Sequence, residues 1–150
     1  MKSLHISIPL QQLTLLDNKM IIKIYPISSS KYGLGTEEGS YKTPLGNFII
    51  AEKIGGDQPI YTIFKGRVPV GIWNPENIGS DPITSRILWL SGADEDNKNT
   101  YERYVYIHGT TEENLIGTPA SHGCIRMKNQ DIVELFDLVD RGTQLVIENK

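Results

Sequence analysis

Apolar and polar residues alternate from the start of the chain. Leu4, Ile6 and Ile8 interleave with Ser3, His5 and Ser7, the two-residue period of a half-buried strand. Residues 12–16 and 19–25 read as two more strands, with Asp17-Asn18 as a tight turn between them. Residues 27–42 are a polar, glycine-bearing loop, and the chain then enters Thr43-Pro44-Leu45-Gly46-Asn47-Phe48, a turn leading into a strand. Residues 60–65 and 68–73 predict a hairpin around Gly66, and residues 87–90 a short buried strand. Residues 74–86, with two prolines, read as a long loop, and residues 91–100 as an exposed acidic one. Loops of this length in a compact chain are often functional, here as walls of a cleft.

The period changes once. Ile132, Leu135, Phe136 and Val139 recur at helical spacing, with Asn129 as the expected N-cap and Gly142 just past the end. Thr110 and Glu113 stand in capping-box spacing for a short helical turn, and Pro119 ends it. Residues 144–148 predict a final strand. Roughly eight strands against one helix predict a mainly-β fold, a small barrel or sandwich with the helix packed on one side. The length of 150 residues suits a single domain over residues 1–150.

Composition narrows the function. A net charge of −3 without a basic block speaks against nucleic acid as a partner. Residues 1–25 contain no apolar run long enough for a secretory signal, which suggests a cytoplasmic location, and no later stretch is long and apolar enough to span a membrane. Gly33-Leu34-Gly35 hints at a phosphate loop, but Glu38 occupies the third glycine position and a strand follows instead of a helix. Asp94-Glu95-Asp96 lacks the spaced ligands of a calcium loop and reads as a solvated turn. Trp73 and Trp89 lie in or beside apolar strands and are expected in the core, and His5 on an edge or surface.

The chemistry concentrates in residues 104–127, YVYIHGTTEENLIGTPASHGCIRM, which hold the only cysteine, Cys124, and two of the three histidines, His108 and His122. His108 follows an alternating run, residues 104–107, that reads as a strand. A free thiol is mostly protonated at neutral pH, so a cysteine nucleophile needs a base, and an imidazole within hydrogen-bond reach supplies one. Gly123 lets the chain turn sharply and a substrate come close, and backbone N–H groups around Gly123 and Cys124 are placed to meet an oxyanion. Two other readings stay open on the residues alone: a zinc site of two histidines and a cysteine, and a buried cysteine with hydrogen-bonded histidines in a binding module.

His108-Gly109 followed by Ser121-His122-Gly123-Cys124-Ile125-Arg126 resembles the catalytic segment of the L,D-transpeptidase (YkuD-type) family, and the Thr43–Phe48 run is similar to a second recurring element of that family. The resemblance implies a mainly-β domain that carries out acyl transfer on peptidoglycan stem peptides or muropeptides. In that reading Cys124 is the nucleophile and His108 the general base. Gly109 holds the His108 ring through its carbonyl, where some family members have serine. His122 shapes the oxyanion hole and the turn, and Ser121 braces the turn. Arg126, where one branch of the family has asparagine, grips a substrate carboxylate; a surface salt bridge is its alternative. The thiolate attacks the diaminopimelate carbonyl, D-alanine leaves, and the thioester passes to an amine or, in an L,D-carboxypeptidase, to water. No metal or organic cofactor is implied. The family usually works outside the cytoplasmic membrane, so the cell envelope is the alternative location.

Overall fold

A computed structural model describes residues 1–76 and 81–150. It is mainly β, as the alternation predicts. Among the described residues the strands are β1 (Lys2–Ser7), β2 (Gln12–Asp17), β3 (Met20–Pro26), β4 (Gly46–Ile54), β5 (Thr62–Lys65), β6 (Val68–Ile72), β7 (Ile83–Gly92), β8 (Tyr106–Gly109), β9 (Ile125–Met127) and β10 (Gln144–Glu148), with one α-helix, α1 (Asn129–Leu138). The strand order is β3-β2-β1-β10-β4-β7-β5-β6 along an open path that does not close into a barrel. β8 pairs with β7 as a side branch, and β9 runs parallel to β8.

The core follows from the alternation. Leu4 and Ile6 of β1, Leu13 and Leu15 of β2, Phe48 and Ile50 of β4, and Leu145 and Ile147 of β10 are buried with Ile132, Leu135 and Phe136 of α1. Phe64, Ile87, Trp89 and Tyr106 form a second cluster. At roughly 1.5–3 kcal/mol per buried large apolar side chain, this burial is the main force holding helix to sheet.

Several boundaries differ from the sequence reading, each for a local reason. The turn between β2 and β3 is centred on Asn18 and Lys19, both with left-handed φ (51° and 69°), as a two-residue hairpin loop requires. The strand expected at residues 87–90 begins at Ile83, within the stretch read as loop. Its polar start, Thr84-Ser85-Arg86, is buried, and Ser85 has φ 71° where the pairing with β8 shifts register. That bulge keeps the Thr84 and Ser85 hydroxyls in a central strand by aiming both at Asn129 Oδ1. Residues 77–80 of the same stretch lie outside the described residues. The run read as a strand from Tyr104 starts instead at Tyr106, because Tyr104 has φ 58° and belongs to the preceding turn.

The acidic stretch at 91–100 is more than a solvated loop. A 3-10 turn at Glu95–Asn97 buries Asn97 and Thr100, and the Asp94 carboxylate accepts the Asn47 N–H at 2.7 Å. That contact explains the glycine of the Thr-Pro-x-Gly-x-Phe run. Gly46 has φ 114°, and a Cβ there would stand 2.5 Å from Asp94 Oδ2. Asn129 is the first helical residue, with Lys128 at the N-cap; Glu113, from the distant 3-10 turn at Glu113–Leu115, accepts the Asn129 N–H at 2.7 Å. A carboxylate at a helix N-terminus satisfies a free N–H and meets the positive end of the dipole. Glu113 therefore caps α1 and not its own turn. Gly142 (φ 89°) turns the chain into β10, three residues beyond the C-cap Val139. Trp89 is in the core, stacked on Tyr101 with centroids 4.0 Å apart. Trp73 is only half-buried and rests against Tyr61 at 5.7 Å. His5, on β1, meets Glu148 Oε2 at 2.9 Å near the surface.

Candidate active site

The parallel pairing of β8 and β9 decides the site. Ile107 stands opposite Ile125 and His108 opposite Arg126, so residues 18 apart in sequence are brought side by side. Cys124, one residue before β9, lies against the start of β8. Its Sγ accepts the Tyr106 N–H at 3.3 Å and donates to the Tyr104 carbonyl at 3.5 Å. His108 is buried on β8, and its Nδ1 meets the Gly109 carbonyl at 2.6 Å. A carbonyl only accepts, so Nδ1 carries the proton and Nε2 is left as the basic nitrogen.

Cys124, His108, Ser121, His122 and Arg126 line one cavity of 190 Å³, with Asp81 and Ile83. A second cavity of 280 Å³ opens on Cys124 and His122 as well, and its walls include Tyr41, Arg103, Tyr104 and Gly123. The two hollows share Cys124 and His122. A wider hollow of 650 Å³ between the first residues and the 140–144 turn contains neither histidine nor cysteine.

The resting pair is neutral. Burial pushes the Cys124 thiol up to about 11, against the opposing pull of the Tyr106 N–H and the Arg126 and Arg103 charges. Burial also lowers His108 below the usual imidazole range, against the Gly109 hydrogen bond and the Asp81 charge. Desolvation disfavours the charged form of each group. At neutral pH the cavity therefore holds a protonated thiol and a neutral imidazole.

The turn carrying Cys124 is braced from two directions. The Ser121 hydroxyl donates to the Cys124 carbonyl and accepts the Gly123 N–H at 3.2 Å. Gly123 has φ 121°, and a Cβ there would stand 3.5 Å from the Lys42 carbonyl oxygen and 3.6 Å from the Tyr41 backbone. The Gly123 carbonyl accepts from the buried Thr43 hydroxyl at 3.1 Å, and the same hydroxyl accepts the Ser30 N–H at 2.9 Å. The Thr-Pro-x-Gly-x-Phe run thus anchors the cysteine turn as well as starting β4. The His122 side chain points outward and packs with Tyr32 and Tyr41 at 5.7 and 6.1 Å. Among the described residues, no three His, Cys, Asp or Glu side chains group closely enough to hold a metal ion.

Arg126 is only 4% exposed. Its guanidinium is paired with Asp81 and reaches Glu112 at 3.4 Å, so the salt bridge is an internal one and the group enters the cavity already partnered.

Sequence reasoning missed Asp81 and Arg103, read Asn129 only as a helix cap, and gave Thr43 a place in the turn into β4 but no contact with the cysteine turn. Asn129 is fully buried behind His108. Its Oδ1 accepts from the Thr84 and Ser85 hydroxyls, both at 2.6 Å, and its Nδ2 donates to the Thr110 carbonyl at 2.8 Å and Glu113 at 3.2 Å. Every hydrogen-bonding position of that amide is used. Gly109 is pressed into this network: a Cβ would stand 2.6 Å from the Thr84 carbonyl and 2.7 Å from Asn129 Oδ1. A buried asparagine opening a helix was the one available signal, and it looked like an ordinary cap.

The L,D-transpeptidase catalytic domain (YkuD) family matches residues 1–147, and the chain belongs to that family of enzymes. It is 32% identical over 133 residues to the putative L,D-transpeptidase YqjB of Bacillus subtilis, covering 89% of this chain and 62% of that protein. It is 30% identical over 142 residues to the putative L,D-transpeptidase YkuD of the same species, covering 95% and 63%. The chain thus spans a little over three fifths of these relatives' length, 62% and 63%. The fold is similar to an L,D-transpeptidase from Xylanimonas cellulosilytica, with a TM-score of 0.64 at 20% identity, over 98% of this chain and 60% of that one. It is also similar to L,D-transpeptidase 3 from Mycobacterium tuberculosis in complex with a faropenem-derived adduct, with a TM-score of 0.62 at 16% identity, over 98% and 60%. At such identities the structural likeness is one of fold. No described helix is long and apolar enough to cross a membrane.

Proposed function

We propose that residues 1–150 act as one catalytic unit that transfers an acyl group from a peptidoglycan stem peptide to an amine through a thioester on Cys124. The observation that carries this reading is the shared cavity of Cys124 and a buried His108 whose Nδ1 is committed to Gly109. The Cys124 thiol gives its proton to His108 Nε2 as the sulfur attacks the diaminopimelate carbonyl. The C–N bond to D-alanine breaks, and the imidazolium returns the proton to the leaving amine. The acceptor amine then attacks the thioester, losing its proton to His108, and the thiol is restored as the new amide forms. Starting from a neutral pair, the site develops charge only during the reaction, where the Tyr106 N–H and Arg126 support the sulfur's negative charge. Ser121 and Gly123 hold the turn, His122 stands at the mouth, and Arg126, fixed by Asp81, presents positive charge to a substrate carboxylate.

Transfer is favoured over hydrolysis because Cys124 faces two cavities, 190 and 280 Å³, so donor and acceptor can occupy separate sides. Orientation of a second reactant is what lets an amine outcompete water. Mass spectrometry of products from a purified disaccharide tetrapeptide tests the reading: a 3–3 dimer is expected, tripeptide alone would make the protein an L,D-carboxypeptidase, and no release of D-alanine would refute both. A carbapenem should add one drug mass to Cys124. Residence in the cytoplasm would make soluble tetrapeptides the substrate; recovery of a tagged protein in the envelope fraction would make it the wall.

A further inference from the structure

The mouth of the 280 Å³ cavity includes two strained aromatic residues. Tyr41, from the loop before β4, and Tyr104, from the turn before β8, both line it. Their φ angles are 60° and 58°, a left-handed conformation that is an outlier for a bulky L-residue. Both rings nevertheless face water, at 58% and 55% exposure. Glycine would take the same backbone angles without strain, and rings this exposed add little to the core. Strain held at exposed positions beside a reactive thiol points to use in binding.

Tyr41 belongs to a wider aromatic face. Its ring lies edge-on to His122 at 6.1 Å and 5.9 Å from Tyr32, which is 5.7 Å from His122. Tyr104 is backed by Trp89 at 5.8 Å and Arg67 at 5.3 Å. Glu38, Glu102 and Arg103 line the same cavity, and the Arg103 guanidinium is held by the carbonyls of Lys42 at 2.9 Å and Gly35 at 3.3 Å. Ring faces offer stacking surface to the C–H face of a pyranose, carboxylates accept from its hydroxyls, and a guanidinium donates to an acetamido oxygen. A peptide of small residues would leave those rings uncovered.

We infer that the cavity bounded by Tyr41 and Tyr104 is a saccharide subsite on the acceptor side, taking an N-acetylhexosamine of the muropeptide whose stem-peptide amine reaches Cys124. This rests on the acyl-transfer reading for the identity of the ligand. Binding can be measured without turnover by calorimetric titration of the Cys124→Ala protein with N-acetylglucosaminyl-N-acetylmuramyl tetrapeptide and with the free tetrapeptide. The disaccharide ligand should bind about tenfold tighter, the scale of covering one apolar sugar face. Adding Tyr41→Gly should bring the two affinities within about twofold of each other while leaving the melting temperature equal or higher, because the backbone strain is relieved. Tyr41→Phe should keep the preference. Equal affinities in the Cys124→Ala protein, no binding of the disaccharide ligand, a preference that survives Tyr41→Gly, or a loss of preference that comes with a lowered melting temperature would each overturn the subsite. Tight disaccharide binding together with a cysteine-intact protein that releases no D-alanine would leave the subsite standing and refute acyl transfer.

Discussion

The two sides of Cys124 are built in opposite ways. Behind His108 the structure is closed: Gly109, Thr84, Ser85, Thr110, Glu113 and Asn129 satisfy one another with little space left. Around Tyr41 and Tyr104 it is open, with left-handed tyrosines whose rings stand in water. The first arrangement fixes one ring in one tautomer, which a base requires. The second leaves surface to be covered by something else. In the proposed reading, orientation and recognition are thus separated on the two sides of one sulfur.

The largest effect comes from removing what both sides share. Cys124→Ala should abolish turnover and carbapenem adduct formation while the protein stays folded; residual turnover above a trace would end the thioester mechanism. Next, His108→Ala should slow turnover by about 10²-fold or more, the scale of losing a general base, and His122→Ala should cost less. The reverse order would move the base to the open side. Asn129→Ala should lower stability in urea denaturation by about 2 kcal/mol, since it strands the Thr84 and Ser85 hydroxyls and the Thr110 carbonyl in the interior. An unchanged midpoint would show that water enters and that the closed side is not closed. The gentlest test is pH. With the folded thiol pushed up to about 11, iodoacetamide labelling of Cys124 should rise about tenfold per pH unit from neutral pH to about 10. The same shift lowers stability as pH rises between the unfolded thiol's value and 11, because the unfolded chain sheds the proton first. A labelling plateau near pH 7 would replace the neutral pair with a preformed ion pair.

The legible part of this molecule was whatever repeats or recurs locally. Period-two alternation marked β1, β2 and β10, helical spacing marked α1, and the His108 to Arg126 spacing marked the site. What escaped was polarity whose partner lies far along the chain. Thr84-Ser85 read as loop because nothing nearby in sequence announces Asn129, 44 or more residues on. Glu113 looked like the cap of its own turn and instead caps α1. Arg126 read as a surface or substrate-facing charge because Asp81, its internal partner, is remote in sequence. β9 is three residues long, too short for any period to show. Tyr104 seemed to begin a strand because its composition fits one; it instead closes a turn onto Tyr101 with a left-handed φ.

The pairing of the first strand with the last has a consequence for how the chain assembles. β10 lies between β1 and β4, in parallel with β1 and antiparallel to β4. The β1-β2-β3 meander can form by local hairpins, but its place in the sheet waits for residues 144–148. That contact has the longest sequence separation in the sheet, and closing so long a loop is slow. Until it forms, the apolar faces of Leu4, Ile6, Leu13 and Leu15 have no β10 to extend them across the core. A chain cut after α1 should retain local hairpins yet collect as an aggregating intermediate, with the cavities around Cys124 unassembled.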